Sequence, residues 1–231
     1  MSIIVALDVP NLEACQKLVD ELKGLVTIYK IGSELFTAHG WRAVDLVEKS
    51  GGKVFLDLKL HDIPTTVART SAVIAQRGVF MFNVHTLGGL EMMREARKAV
   101  DQNSRAGKKP LLLGVTILTS HSERSLAGEL GIERPLKEEV LALARLARQA
   151  GLDGVVSSPE ETEFLRKESG KDFILVTPGV RPSGSPADDQ ARNLTPREAL
   201  RRGAHYLVIG RPITQAPNPR EAAQQILHSL S

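Results

Sequence analysis

Residues 53–66 read KVFLDLKLHDIPTT. Val54, Leu56, Leu58 and Leu60 alternate with Phe55, Asp57 and Lys59. In an extended segment the even positions form one apolar face, and Asp57 and Lys59 share the other. A carboxylate and an ammonium at the end of an apolar strand are costly to bury unless they pair. The alternation stops after Leu60, and Asp62-Ile63-Pro64-Thr65-Thr66 turns the chain. The stretch has the form Asp-x-Lys-x-x-Asp, three charges of alternating sign where a strand becomes a loop. Two readings are open at this point: a structural ion pair, or part of a site.

The same strand-like pattern recurs along the chain. Strands are predicted near Ile3–Asp8, Thr27–Gly32, Lys53–Leu60, Met81–Thr86, Leu111–Leu118, Gly154–Ser157, Phe173–Thr177 and Tyr206–Gly210, each followed by a helical stretch. Eight strands over 231 residues give about 29 residues per unit, close to the roughly 30 of a βαβ repeat. Eight such units close into a parallel (β/α)8 barrel. The rival architecture is a doubly wound open sheet with its ligand at one switch point. Functional-looking residues follow most of the strands rather than one or two, which favours the barrel. One barrel over residues 1–231 is expected, with no linker and no second domain.

Helix starts support this division. Ser158-Pro159-Glu160-Glu161, Thr195-Pro196-Arg197-Glu198 and Asn218-Pro219-Arg220-Glu221 each offer a capping oxygen, a proline at the first helical position and a glutamate at the third. Leu136, Val140, Leu143, Ala144 and Ala147 make one apolar stripe at helical spacing. The stretch from His121 to Pro135 is expected to hold a short helix of its own.

Composition narrows the function classes. Apolar residues make up 42% and charged residues 25%, a globular balance with no run long enough to span a membrane. The start of the chain turns acidic at Asp8, too soon for a signal peptide. The single cysteine, Cys15, sits in a helical pattern and has no partner within the chain, which suits a reducing cytoplasm. The net charge is +3, basic residues are interspersed with acids, and aromatics are only 4%. A nucleic-acid binder would gather its basic residues into a patch with stacking aromatics.

A barrel builds its site from the C-terminal ends of its strands. Collected there are Asp8, Lys30, Asp57, Lys59, Asp62, the Asn83-Val84-His85 end of strand four, Thr119-Ser120, the run Thr177-Pro178-Gly179-Val180-Arg181-Pro182, and Gly210-Arg211. Charges on strand after strand inside one mouth serve little stabilising purpose. Gly210-Arg211 after strand eight is where barrels often hold a phosphate, and arginine adds a forked, permanently charged donor. Residues 181–192 are polar and rich in glycine and proline, either a surface excursion or a loop that folds over a ligand. His61 and His85 read as hydrogen-bonded packing residues rather than chemical ones.

These residues resemble the orotidine 5′-monophosphate decarboxylase family, bacterial type. The resemblance runs over nearly the whole chain: Val5-Ala6-Leu7-Asp8, Tyr29-Lys30-Ile31-Gly32, the segment 55–66, Asn83-Val84-His85, Thr116 to Ser120, Thr177 to Pro182, Asp189-Gln190 and Ile209-Gly210-Arg211. It implies a barrel that converts orotidine 5′-monophosphate to uridine 5′-monophosphate and CO2, the last step of pyrimidine nucleotide synthesis, without metal or organic cofactor. It also implies a homodimer in which Lys30, Asp57 and Lys59 of one subunit form a charge chain with Asp62 of the other, and Lys59 donates the proton.

For substrate binding the resemblance implies Asp8 and Lys30 at the ribose hydroxyls, Asp57 near the reacting carboxylate, Thr66 arriving with Asp62 across the interface, and Ile63 among the substrate-binding residues. Thr119 and Ser120 are implied at the pyrimidine. Arg181, Gln190, Gly210 and Arg211 are implied at the phosphate end, with Gln190 in the closing loop, and Pro182 among the substrate-binding residues. One rival is a magnesium-dependent sugar-phosphate lyase of the same superfamily, of the 3-keto-gulonate 6-phosphate decarboxylase type. Such enzymes carry an acidic residue where Lys30 stands. The other rival is a non-catalytic barrel that binds nucleotide phosphates.

Overall fold

The structure, a computed structural model, describes residues 3–181 and 194–230. Its strands are β1 (Ile3–Ala6), β2 (Ile28–Gly32), β3 (Lys53–Leu60), β4 (Met81–His85), β5 (Leu111–Val115), β6 (Gly154–Val156), β7 (Ile174–Pro178) and β8 (Tyr206–Ile209). Every neighbouring pair is parallel, and β8 returns to β1, with Ile3 opposite Leu207, so the sheet closes into a barrel in chain order. The described helices are α1 (Leu12–Leu22), α2 (Ser33–His39), α3 (Trp41–Lys49), α4 (Pro64–Arg77), α5 (Gly89–Asn103), α6 (Glu123–Leu130), α7 (Leu136–Gln149), α8 (Thr162–Ser169), α9 (Pro196–Arg201), α10 (Arg211–Thr214) and α11 (Pro219–Ser229). The (β/α)8 expectation is met. The open sheet is excluded, because β1 and β8 pair and leave no edge.

Period two sorts the strand residues between two cores. Ile4, Ala6, Ile28, Phe55, Met81, Leu113, Val176 and Val208 fill the barrel interior. Their neighbours Ile3, Val5, Tyr29, Ile31, Val54, Leu56, Phe82 and Val84 face outward into the layer beneath the helices. The large aliphatic and Phe side chains among them each contribute roughly 1.5–3 kcal/mol on leaving water, so both layers oppose any slip in register. On β2, β3 and β4 the next inward positions after Ile28, Phe55 and Met81 are Lys30, Asp57 and Asn83. The apolar plug therefore ends in a polar layer at the C-terminal mouth.

Two of the three expected caps form as read. Thr195 accepts from the Glu198 N–H while the Glu198 carboxylate accepts from the Thr195 N–H, a complete capping box on α9. Asn218 accepts from the Glu221 N–H at the start of α11. The third differs. α8 begins at Thr162 rather than Pro159, because residues 158–161 make a separate turn closed by the Glu161 N–H on the Ser158 carbonyl. Only half of a capping box survives there, the Ser158 N–H donating to the Glu161 carboxylate at 2.9 Å.

The stripe on α7 is buried as expected, and α6 occupies the extra stretch before it. β1 and β5 are shorter than expected: β1 ends at Ala6, and β5 ends at Val115, where the Thr116 hydroxyl turns to the Val156 carbonyl. Asp8, Thr119 and Ser120 therefore lie on the loops after their strands. Cys15 is buried, and burial pushes its thiol up to about 11. No described helix is long and apolar enough to cross a membrane.

Candidate active site

A charge chain crosses the mouth of the barrel. Lys30 Nζ lies 3.0 Å from Asp8 Oδ1 and 3.5 Å from Asp57 Oδ2, and Lys59 Nζ lies 2.8 Å from Asp57 Oδ1. The middle of this charge chain is its most buried part: the side chains of Lys30 and Asp57 are each 12% exposed, whereas the ends, Asp8 and Lys59, are 58% and 37% exposed. A buried ion pair is a poor source of net stability, because desolvation offsets the attraction. Four charges in series at the open end of a barrel therefore make a candidate site rather than a source of core stability.

Burial by itself would raise the Asp57 carboxyl. The ammonium groups of Lys30 and Lys59, together with hydrogen bonds from Lys59 and Asn83, outweigh it and hold the carboxyl below its ordinary value. Asp57 is thus an anion at neutral pH, fixed on both oxygens.

The neighbourhood of Asp57 and Lys59 on β3 is not regular strand. Lys59 has φ +50°, the only positive φ outside glycine among the described residues. That conformation costs an L-residue roughly 1–2 kcal/mol. The β3–β4 register shows the cause. Leu56 is opposite Phe82 and Leu60 is opposite Val84, so four steps on β3 (56 to 60) face two on β4 (82 to 84). The extra residues bulge, and the Lys59 N–H loses its place in the ladder. It donates instead to the side chain of Asn83, at 2.8 Å. Asp57 and Lys59 do meet on one side, as the alternation suggested, but the bulge rather than an unbroken pleat brings them together.

Asn83 is the residue that sequence reasoning underused. It is fully buried, its Nδ2 donates to Asp57 Oδ1 at 2.7 Å, and its Oδ1 takes the Lys59 N–H. The available signal was an amide set among Met81, Phe82 and Val84, since a buried amide needs partners.

Beside the charges lies a cavity lined by Lys30, Asp57, Lys59 and Thr119, with apolar walls from Phe55, Val115, Ile117, Val156, Pro178 and Val208. Ser120 is exposed on the same turn. Gly210 lies against β1, where a Cβ would come 3.4 Å from that of Ala6 and 3.8 Å from Asp8 Oδ2. Arg211 opens the short α10 directly after it. At the seventh strand, Val180 bridges Leu194 and the Arg181 N–H donates to the Leu194 carbonyl, at 3.1 Å. Pro182 and Gln190, and the loop 181–192 beyond Arg181, lie outside the described residues.

Asp62, Ile63 and Thr66 stand apart. All three are exposed at the start of α4, none lines the cavity of its own chain, and Asp62 Oδ1 accepts the Ile63 N–H at 2.6 Å. Ile63 is 66% exposed, and apolar Leu87, in a 3-10 turn after β4, and Leu118, after β5, are exposed at the same end of the barrel. His85 accepts from the Leu87 N–H and stacks on His61 with ring centres 5.2 Å apart. Burial first, then the charges of His61, Lys59 and His121, push it down to about 4. Among the described residues no group of three or more His, Cys, Asp or Glu side chains is arranged to hold a metal ion.

Known proteins share this arrangement of chain. An orotidine 5′-phosphate decarboxylase of Moorella thermoacetica is 52% identical over 226 residues, covering 97% of this chain and 90% of the relative. One from Geotalea uraniireducens is 50% identical over 228 residues, covering 99% and 94%. The crystal structure of orotidine 5′-phosphate decarboxylase from Lactobacillus acidophilus superposes with a TM-score of 0.89 at 38% identity, covering 100% of this chain and 99% of that one. Residues 1–226 match the orotidine 5′-phosphate decarboxylase / HUMPS family, and the chain belongs to it.

Proposed function

We infer that this chain decarboxylates orotidine 5′-phosphate to uridine 5′-phosphate and CO2, with Lys59 as the group that steadies and then protonates the reacting carbon. Relatives named for that activity match nearly the whole chain. The observation that carries the reading at the site is Lys30. The family also includes a second branch of enzymes, and a magnesium-dependent member would need an acid in its place. Here the ammonium lies between Asp8 and Asp57, where it repels a cation.

The chemistry explains the need for fixed charge. Loss of CO2 from C6 of the pyrimidine leaves an electron pair in the ring plane, where the π system cannot take it up. Stabilisation has to come from charges already in place. The Lys59 ammonium next to C6 supplies one and can then deliver the proton. Asp57 holds that ammonium, Lys30 balances Asp57, and Asp57 sits near the departing carboxylate. Enzymes lower barriers by about 8–23 kcal/mol, whereas one well-placed donor is worth about 3–4 kcal/mol. The whole array and closure over the substrate have to provide the remainder.

Two copies complete the mouth in this reading. Asp62, Ile63 and Thr66 of one subunit reach the cavity of the other, which accounts for their exposure and their absence from the lining of their own cavity. The exposed Ile63, Leu87 and Leu118 supply apolar surface for that contact. Asp8 and Lys30 take the ribose hydroxyls, Thr119 and Ser120 the pyrimidine, and Arg181, Pro182, Gln190, Gly210 and Arg211 the phosphate end. The lone buried thiol fits a reducing cytoplasm. The test is direct. Purified protein in excess chelator is mixed with orotidine 5′-phosphate, and the loss of its absorbance is followed. Turnover is expected; dependence on added magnesium, or binding without CO2 release, would sink the reading.

A further inference from the structure

We propose that Asn83 is a positioning residue for this reaction: its single amide sets where the Lys59 ammonium stands and keeps Asp57 aimed, without touching substrate. The inference rests on the reading of Asp57 and Lys59 given above. Asn83 is fully buried on β4, inward-facing, and lies behind the cavity wall rather than in it. Both ends of the amide are used on the two reacting-site residues, Nδ2 on Asp57 Oδ1 at 2.7 Å and Oδ1 on the Lys59 N–H at 2.8 Å. The amide orientation is forced. Turned over, it would set an oxygen against the Asp57 carboxylate and an N–H against the Lys59 N–H.

These contacts close a ring. Lys59 is held at its backbone by Asn83 and at its ammonium by Asp57, and Asp57 is held by Asn83. The bulge that turns Lys59 into the mouth removes a ladder hydrogen bond, and the Asn83 side chain replaces it. A small shift of the amide would move both ends of the lysine together. Displacement of a reacting group by about 1 Å can cost on the order of a hundredfold in rate. A buried amide serving the fold alone would need partners too, but nothing would require both partners to be groups of the charge chain.

The charged and titratable groups around Asp57 are Lys30 from β2, Lys59 from β3 and, behind Lys30, Asp8 after β1. His85 and His61 lie beyond Lys59. The amide is the neutral donor in this set, which makes its replacement by a carboxyl informative. Protonated, the introduced carboxyl donates to Asp57 as the amide does. Ionised, it faces Asp57 as a second anion, and such a pair shares one proton with a raised pKa.

The experiment measures kcat and KM for orotidine 5′-phosphate in Asn83→Ala and Asn83→Asp across pH 5–9, with circular dichroism as the folding check and Lys59→Ala as control. Asn83→Ala is expected to lose about a hundredfold in kcat with KM within about threefold. For Asn83→Asp the ratio of its kcat to that of the native protein is expected to rise by about tenfold or more as pH falls, because the introduced carboxyl regains its proton. A folded Asn83→Ala with native kcat, a loss confined to KM, or a ratio for Asn83→Asp that does not vary with pH overturns the proposal. Should Asn83→Ala not fold, the isosteric Asn83→Asp decides alone, and failure of both to fold assigns the amide to folding and also overturns it. If Lys59→Ala is inactive while the Asn83 variants behave normally, only this inference fails. If Lys59→Ala turns over, the reading it rests on fails.

Discussion

Lys59 Nζ stands 2.8 Å from Asp57 Oδ1, yet a bulge separates the two residues from regular strand geometry. The ammonium is 37% exposed at the side-chain level, so it faces the mouth, while the carboxylate behind it is nearly buried. In the proposed reaction this arrangement would hold the proton donor without hiding it. Lys59→Ala should remove the donor and leave the barrel intact, since the lysine side chain is not part of either apolar core. Turnover should fall below detection while the circular dichroism spectrum and oligomeric state stay native. Measurable native turnover in the folded variant would end the assignment.

Shared mouths make a sharper demand. Asp62 is exposed and turned onto its own Ile63 N–H rather than onto Lys59. If it serves the partner's site, Asp62→Ala and Lys59→Ala should each be inactive alone. Mixed and re-paired, they should regain about one quarter of the native sites, because random pairing makes half the dimers hybrid and each hybrid has one complete mouth. A mixture that stays as inactive as its parts would exclude sharing.

Arg211 follows Gly210 directly after β8, and in the proposed function it serves the phosphate. Its guanidinium should act on binding, not on the reacting carbon. Arg211→Ala is expected to raise KM by about tenfold or more, as loss of a charge-assisted contact worth roughly 1.5–3 kcal/mol requires. The loss should vanish for a substrate lacking the phosphate. Unchanged kinetics would remove Arg211 from the site.

His85 gives a pH test that involves no catalysis. Its imidazole is depressed from 6.5 to about 4 by burial and by neighbouring positive charge. The unfolded chain therefore binds a proton that the folded chain refuses between those values. Stability from this group is complete above about pH 6.5 and declines as pH falls toward 4. In His85→Asn, which keeps an acceptor for the Leu87 N–H, the fall of Tm between pH 7 and 4.5 should be shallower than in the native protein. Parallel Tm curves would show that His85 does not titrate in this window.

Much of this was written locally. Alternating apolar positions, eight times at about one βα unit each, dictate the barrel, because a pleated strand exposes alternate side chains whatever it pairs with. The capping residues at 195–198 and 218–221 act within one helical turn and form as read, whereas the same local pattern at 158–161 closes a separate turn before α8. Lys30, Asp57 and Lys59 could be placed toward the mouth because each follows the apolar start of its strand, and that order is a property of the segment. What needed the closed barrel was everything that depends on register between distant segments. Asn83 lies 24 residues from Lys59, and only the mismatch of four steps against two along β3 and β4 brings its amide to the lysine N–H. Pairing of that kind is set by how whole strands align when the sheet closes, a non-local choice that no short stretch of chain contains.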